Sequence, residues 1–197
     1  TLAGRAAFNA GKDFESAFAG VRKTVDAKES EFARLREGII QMAREIPVAR
    51  EEIARVMEVA GQLGIATEHL LTFTRVAINM GVATTMAADD AAMAMSRFMN
   101  IMQTPQEQVE QLANVVVHLG NNVAATESEI MNMALRIAGA GQVIGLTEAQ
   151  VMGLAAGLSA VGIRAEMGGS AISRTMIEMA NAVATGSAEL ALFAEVA

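Results

Sequence analysis

The stretch that decides the fold is Leu112 to Met179, LANVVVHLGNNVAATESEIMNMALRIAGAGQVIGLTEAQVMGLAAGLSAVGIRAEMGGSAISRTMIEM. Two helix starts are written in it. Thr126 stands three residues before Glu129, and Thr147 three before Gln150, the spacing at which each side chain reaches a backbone N–H that the first helical turn leaves unpaired. Glycine follows each helical run, and no reactive side-chain constellation appears. By its residues alone the stretch is a packed helical module.

Four pieces of it, in this order, resemble the core region of phage tail tape measure proteins: LANVVVHLGNN (112–122), ATESEI (125–130), RIAGAGQVIGLTEAQVMGLAAGLSAVGI (136–163) and EMGGSAISRTM (166–176). Upstream, AREIP (43–47) and AGQLGIATEHLLTF (60–73) look like the same family, so the resemblance covers about Phe14 to Met179. It departs at Gly168, Gly169 and Ser170, where the family pattern leads to expect a small residue and Gly before a Thr. The resemblance implies a structural virion protein of the tail lumen, assembled in the host cytoplasm. Such proteins set tail length and leave ahead of the DNA, and their partners are the tail tube and the tail assembly chaperone proteins. A membrane-active module at DNA injection is the alternative that it implies.

Composition points the same way on fold. The 197 residues include two Pro and no Trp, Tyr or Cys, and hydrophobic residues make up 52%, with Ala and Met prominent. That mixture favours helix over sheet. An all-α chain is expected, with no disulfide. The chain does not begin with Met and opens without the apolar core of a signal peptide, so a piece of a longer protein is expected. Residues 1–60 carry ten Lys or Arg and ten acids, whereas residues 61–197 carry five Arg, no Lys and twelve acids. The net charge of −7 thus belongs to the second part, a balance that opposes binding to nucleic acid or anionic lipid. Uncharged windows at 111–126 and 149–163 fall short of the roughly 20 residues of a spanning helix.

Phe14, Phe18, Val21, Val25, Phe32, Leu35, Ile39, Met42 and Ile46 recur at steps of three and four, with Lys28 interrupting them. This is the heptad rhythm of a helix packed along a narrow stripe. It predicts one long amphipathic helix in residues 1–47, ended by Pro47, and offers the stripe as an oligomerisation seam of a homo-oligomer. A multi-helix core is expected over 48–185, built as an array of short antiparallel helical hairpins, and 186–197 reads as the start of a further helix. Thr67, Thr85, Thr104, Thr126 and Thr147 mark helix starts at intervals of 18 to 22 residues. Thr104, Pro105 and Glu107 read as the clearest start of all. Inward stripes are expected at Ala91, Met95, Phe98 and Met102; at Val109, Leu112, Val116 and Leu119; at Val151, Leu154, Leu158 and Val161; and at Ile172, Met176, Met179 and Val183.

Gly81, Gly120, Gly139 with Gly141, Gly145 and Gly162 are expected mostly as helix ends, and Gly153 with Gly157 as a place of close helix approach. No catalytic, metal or cofactor site is expected, and the chain does not read as an enzyme. His69 and His118 lack partners at helical spacing, and the pairs Glu51/Glu52 and Asp89/Asp90 point apart along helix starts, where they offset the dipole. GAGQVIG and GIRAEMGGS lack the Lys-Ser/Thr of a phosphate loop and read as turns. Asn121 and Asn122 read as a loop closing a helix end. The fourteen Met read as core for the most part.

Overall fold

A computed structural model describes residues 2–185, with side chains from residue 11 onward; the expected helix start in 186–197 lies outside the described residues. Among the described residues there are nine α-helices and no strand. They are α1 Leu2–Thr24, α2 Glu29–Glu45, α3 Arg50–Gln62, α4 Leu70–Ala83, α5 Ala88–Met102, α6 Val109–Asn122, α7 Glu127–Val143, α8 Glu148–Ala160 and α9 Ser170–Thr185. A 3-10 turn, Gln106–Gln108, precedes α6, and a π turn, Ala165–Gly169, precedes α9. The chain divides into two compact units, residues 1–99 with 105–117 and residues 100–104 with 118–197. Contacts of the first unit run across residue 47, because α3 packs on α1, α2 and α4.

The expected single N-terminal helix is two helices. Val25 to Lys28 leave the helical path, and the seam folds back on itself. In one continuous helix Phe18 and Phe32 would lie about 21 Å apart; their rings instead meet edge to face at 6.4 Å between centroids. Arg22 pairs in bidentate fashion with Glu29 at 2.6 and 2.8 Å, and Arg36 pairs with Glu15, so partners close symmetrically about the turn. Lys28 gives the reason. A continuous seam would carry its ammonium among phenylalanines, whereas at the break its backbone N–H donates to the Glu31 carboxylate at 2.8 Å. Thr24 Oγ1 donates to the carbonyls of Gly20 and Val21 at the other side of the break.

Glycine closes three helices by one device. Gly64, Gly145 and Gly162 have φ of 86, 79 and 81°, and the next residues, Ile65, Leu146 and Ile163, donate their N–H back to the carbonyls of Ala60, Gly141 and Leu158. This is the 6→1 bond of a left-handed helix end. Gly81, Gly120, Gly139 and Gly141 are not helix ends as expected; all four are helical. Two of them are explained by approach. Gly81 admits the backbone of Ala88, and Gly141 admits Val151 of α8, whose Cγ2 would lie 2.7 Å from an added Cβ.

Of the five threonines, only Thr126 and Thr147 cap helices, each with the reciprocal bond expected. Thr104 does not. Its hydroxyl donates to the Glu148 carboxylate at 2.9 Å, and Pro105 is extended, so the chain enters α6 through the 3-10 turn. Gln106 reaches upstream instead, accepting from Ala66 N–H at 2.8 Å and donating to the Gly64 carbonyl at 3.1 Å.

The stripes on α5 and α6 are inward except for half-buried Leu119. On α8 the buried face is Val151, Met152, Ala155 and Ala156, rotated from the expected one; Leu154 is exposed and Leu158 half-buried. Beyond its first turn α8 carries no charge, so the sequence offers no charged face from which to fix the angle. On α9 Ile172 and Met176 are half-buried, while Met179 and Val183 are exposed.

Paired glycine variants test this packing. Gly141→Ala should destabilise the chain by about 1–3 kcal/mol through overpacking against Val151, whereas Gly139→Ala, with nothing within 4 Å of the new Cβ, should stabilise it by about 0.5–1 kcal/mol. Denaturant unfolding of both reads the two signs.

The cap of α7 has a pH signature. Hydrogen bonds from the Thr126 N–H and then its hydroxyl hold the Glu129 carboxyl below its ordinary value. A lowered folded pKa means the stabilisation is full above the ordinary carboxylate range and is lost as pH falls through the lowered value. Wild type should therefore melt higher than Glu129→Gln at pH 7, and the gap should close as pH drops below about 4. Gln150→Glu is the complementary variant, since the Thr147 cap of α8 is neutral. Thermal melts across pH 3–7 should show a new pH dependence for it.

Candidate functional site

The expected oligomerisation seam is the first candidate. Phe14, Phe18, Val21, Val25, Phe32, Leu35, Ile39 and Met42 are all buried, and Ile46 is half-buried. Their cover comes from the fold-back of α1 on α2 together with α3 and α4. Arg22 lies over the rings of Phe18 and Phe32 at 5.9 and 4.7 Å, and Arg36 and Arg50 over Phe14 at 5.4 and 5.8 Å, closing the stripe's edge with cations. The stripe is thus part of the first unit's core. Association through it would require that core to open.

The polar candidates are dispersed. His69 Nε2 lies 3.5 Å from Glu68 and 3.3 Å from Glu107, a surface cluster that ties the start of α4 to the 3-10 turn. Sequence spacing did not join His69 to Glu107, because 38 residues separate them. His118 and the two asparagines lie within the last turns of α6, not in a loop; the Asn122 amide donates to the His118 carbonyl at 2.7 Å. Glu51 and Glu52 stand in the first turn of α3, Asp89 and Asp90 in that of α5. No group of three or more His, Cys, Asp or Glu could hold a metal ion among the described residues. Thr74 and Ser96 hydroxyls are buried without a hydrogen-bond partner.

In the second unit an open cleft is lined by Glu129 and Asn132 of α7, Ser159 of α8 and the segment Gly162–Met167. Ser159 donates to the Glu129 carbonyl at 3.4 Å across it, and Glu129 is already engaged in its cap. Beside the cleft the unit exposes apolar surface, with Val161 and Met167 about three-quarters exposed at 73% and 76%. Gly153 and Gly157 lie on the exposed side of α8 with nothing within 4 Å of a Cβ added at either, so among the described residues no helix makes the close approach expected there. Most of the Met cluster is core: Met95, Met99, Met102, Met131, Met133 and Met152 are buried. No helix is long and apolar enough to cross a membrane among the described residues.

What these side chains do is pack, cap and join helices. Compared with known protein families, the chain matches that of the phage-related minor tail protein over residues 36–193. No curated protein and no solved structure matches it. The matched span holds α3 to α9 complete and most of α2, including both capped starts and all three left-handed glycine ends. The chain therefore belongs to the phage-related minor tail protein family, as its resemblance to the tape measure core implied.

Proposed function

We propose that this chain is a structural, non-enzymatic domain of a tape measure protein, acting in tail assembly and tail length determination from within the tail tube. The observation that carries the reading is the family match over residues 36–193. The use made of the polar side chains supports it. Glu129, Gln150, Thr126, Thr147 and Gln106 are spent on helix ends and turns, and the glycine-rich strings serve as left-handed ends and close packing positions.

A helix advances about 1.5 Å per residue, so an extended helical chain converts its length linearly into tube length. Helices of 13 to 23 residues that fold back on one another do not extend in that way. The domain therefore serves as an anchoring or self-associating element beside the ruler. Its partners are further copies of itself, the tail tube and the tail assembly chaperones, and its release ahead of the genome at infection belongs to the same reading.

Electron microscopy of particles from a virus whose gene lacks the codons for residues 1–197 tests this. Absent tails, or tails of altered length, are the expected result. Tails normal in length and number on particles that fail to infect would move the role to ejection at the envelope. Fully infective normal particles would overturn the assignment.

A further inference from the structure

Three turns of the chain are built alike and differ in one bond. At Gly64, Gly145 and Gly162 a helix ends left-handed, and the glycine N–H donates to the carbonyl three residues back, of Gly61, Gln142 and Ser159. Two positions on stand Ala66, Thr147 and Arg164. Each accepts at its carbonyl from the residue four further along, Leu70, Val151 and Gly168, so the next segment starts there.

The N–H groups of these three residues have different fates. Thr147 N–H donates to Gln150 Oε1 at 2.9 Å, three residues along its own helix. Ala66 has His69 at that position and donates instead to Oε1 of Gln106, forty residues away, at 2.8 Å; Gln106 Nε2 donates in turn to the Gly64 carbonyl at 3.1 Å. Arg164 has Met167 at that position, whose thioether is a weak acceptor. Its N–H has no acceptor among the described residues.

We propose that the Gly162–Arg164 turn is a docking site for a glutamine side chain of a partner protein, carried in the first turn of an amphipathic helix. Its carboxamide accepts from the Arg164 N–H and donates to the Gly162 carbonyl. The first turn of the chain is the independent observation: there the same two backbone groups are held by a carboxamide that a separate segment brings. Behind Gln106 the chain buries Val109 and Leu112, so the matching partner segment reads Gln-x-x-apolar-x-x-apolar. Exposed Val161 and Met167 beside the third turn offer its apolar residues a surface.

Charge selects a carboxamide over a carboxylate. Glu129 and Glu166 line the cleft at this turn, so a carboxylate meets like charge, and it has no proton to donate to Gly162. The other polar side chains of the cleft are turned elsewhere: Asn132 donates to Ser128 Oγ, Ser159 to the Glu129 carbonyl, and the Glu129 carboxylate accepts from Thr126. Gln106 and Gln150 are engaged, and residues 186–197 contain no Gln or Asn, so adjoining sequence does not supply the side chain.

The inference goes beyond the tail reading and does not depend on it. Amide exchange followed by NMR on the full 15N-labelled chain tests the three turns together. Relative to its unstructured rate, Arg164 should exchange roughly three- to tenfold faster than Ala66 and Thr147, the factor that one hydrogen bond represents. The blocked peptide TPQEQVEQLA, residues 104–113, serves as probe. It should shift the Ile163 and Arg164 amide resonances saturably, with a dissociation constant on the order of 1 mM, and the same peptide with Gln106→Ala should not. Met167→Gln in the chain, which sets a carboxamide where Gln150 stands in the second turn, should slow Arg164 exchange and abolish the peptide shift. If Met167→Gln does not fold, the two peptides decide. Arg164 exchanging as slowly as Thr147 in the chain by itself would mean that the chain or a second copy already fills the turn, and would overturn the proposal. So would equal shifts by both peptides, no shift at Arg164 at about ten times the expected dissociation constant, or shifts at Ile65 and Ala66 alone.

Discussion

Every α-helix leaves four N–H groups at its start and four carbonyls at its end without intrahelical partners. In a fold made of helices mostly four or five turns long, these orphan groups are a large share of the backbone, and the arrangement depends on their being satisfied where the chain reverses. The glycine ends at Gly64, Gly145 and Gly162 do this while turning the chain, and each is followed at once by an apolar residue, Ile65, Leu146 or Ile163. Left-handed backbone is open to glycine at little steric cost, whereas a Cβ there would crowd the carbonyl. Packing of α3 with α4 and of α7 with α8 follows directly, since each pair flanks one of these turns.

Between α1 and α2 no glycine is present, and the reversal rests on other means. Charge decides it. Lys28 interrupts the apolar stripe, Glu31 caps the new helix, and the Arg22–Glu29 pair spans the turn while the Arg22 guanidinium lies on two phenyl rings. The ion pair is exposed and contributes little by itself. Its geometry is still informative, because cation, rings and carboxylate can meet only in a folded-back chain.

Much of this was legible in the residues. Helical class followed from composition, and the capping boxes of α7 and α8 were read at their true positions because Thr-x-x-Glu and Thr-x-x-Gln state a local geometry. Of the nine stripe positions eight are buried and Ile46 is half-buried, but the path of the chain between them was misread. A heptad rhythm that resumes in phase after a turn looks continuous, and only the lysine on the stripe marks the interruption. Thr104-Pro105 misled for the opposite reason: a local signal was overridden by a distant acceptor, Glu148. The exposed face of α8 was misread, since after its first turn the helix is Val, Met, Gly, Leu and Ala with a single Ser and has no charged side to orient it. The family itself was carried by an ordered set of short pieces, most of which contain a helix end.

The first compact unit is not continuous in sequence. It takes residues 1–99 and then 105–117, and its α3–α4 turn is tied down by Gln106, some forty residues after the groups it holds. A ribosome adding roughly 5–20 residues per second exposes the turn seconds before its clasp. Until residues 105–117 emerge, the N-terminal helices stand as an unfinished unit, with the Ala66 N–H and Gly64 carbonyl left to water. Closure of this unit is thus timed by synthesis beyond α5, so an interruption of translation near residue 100 would strand apolar helices that a chaperone could engage.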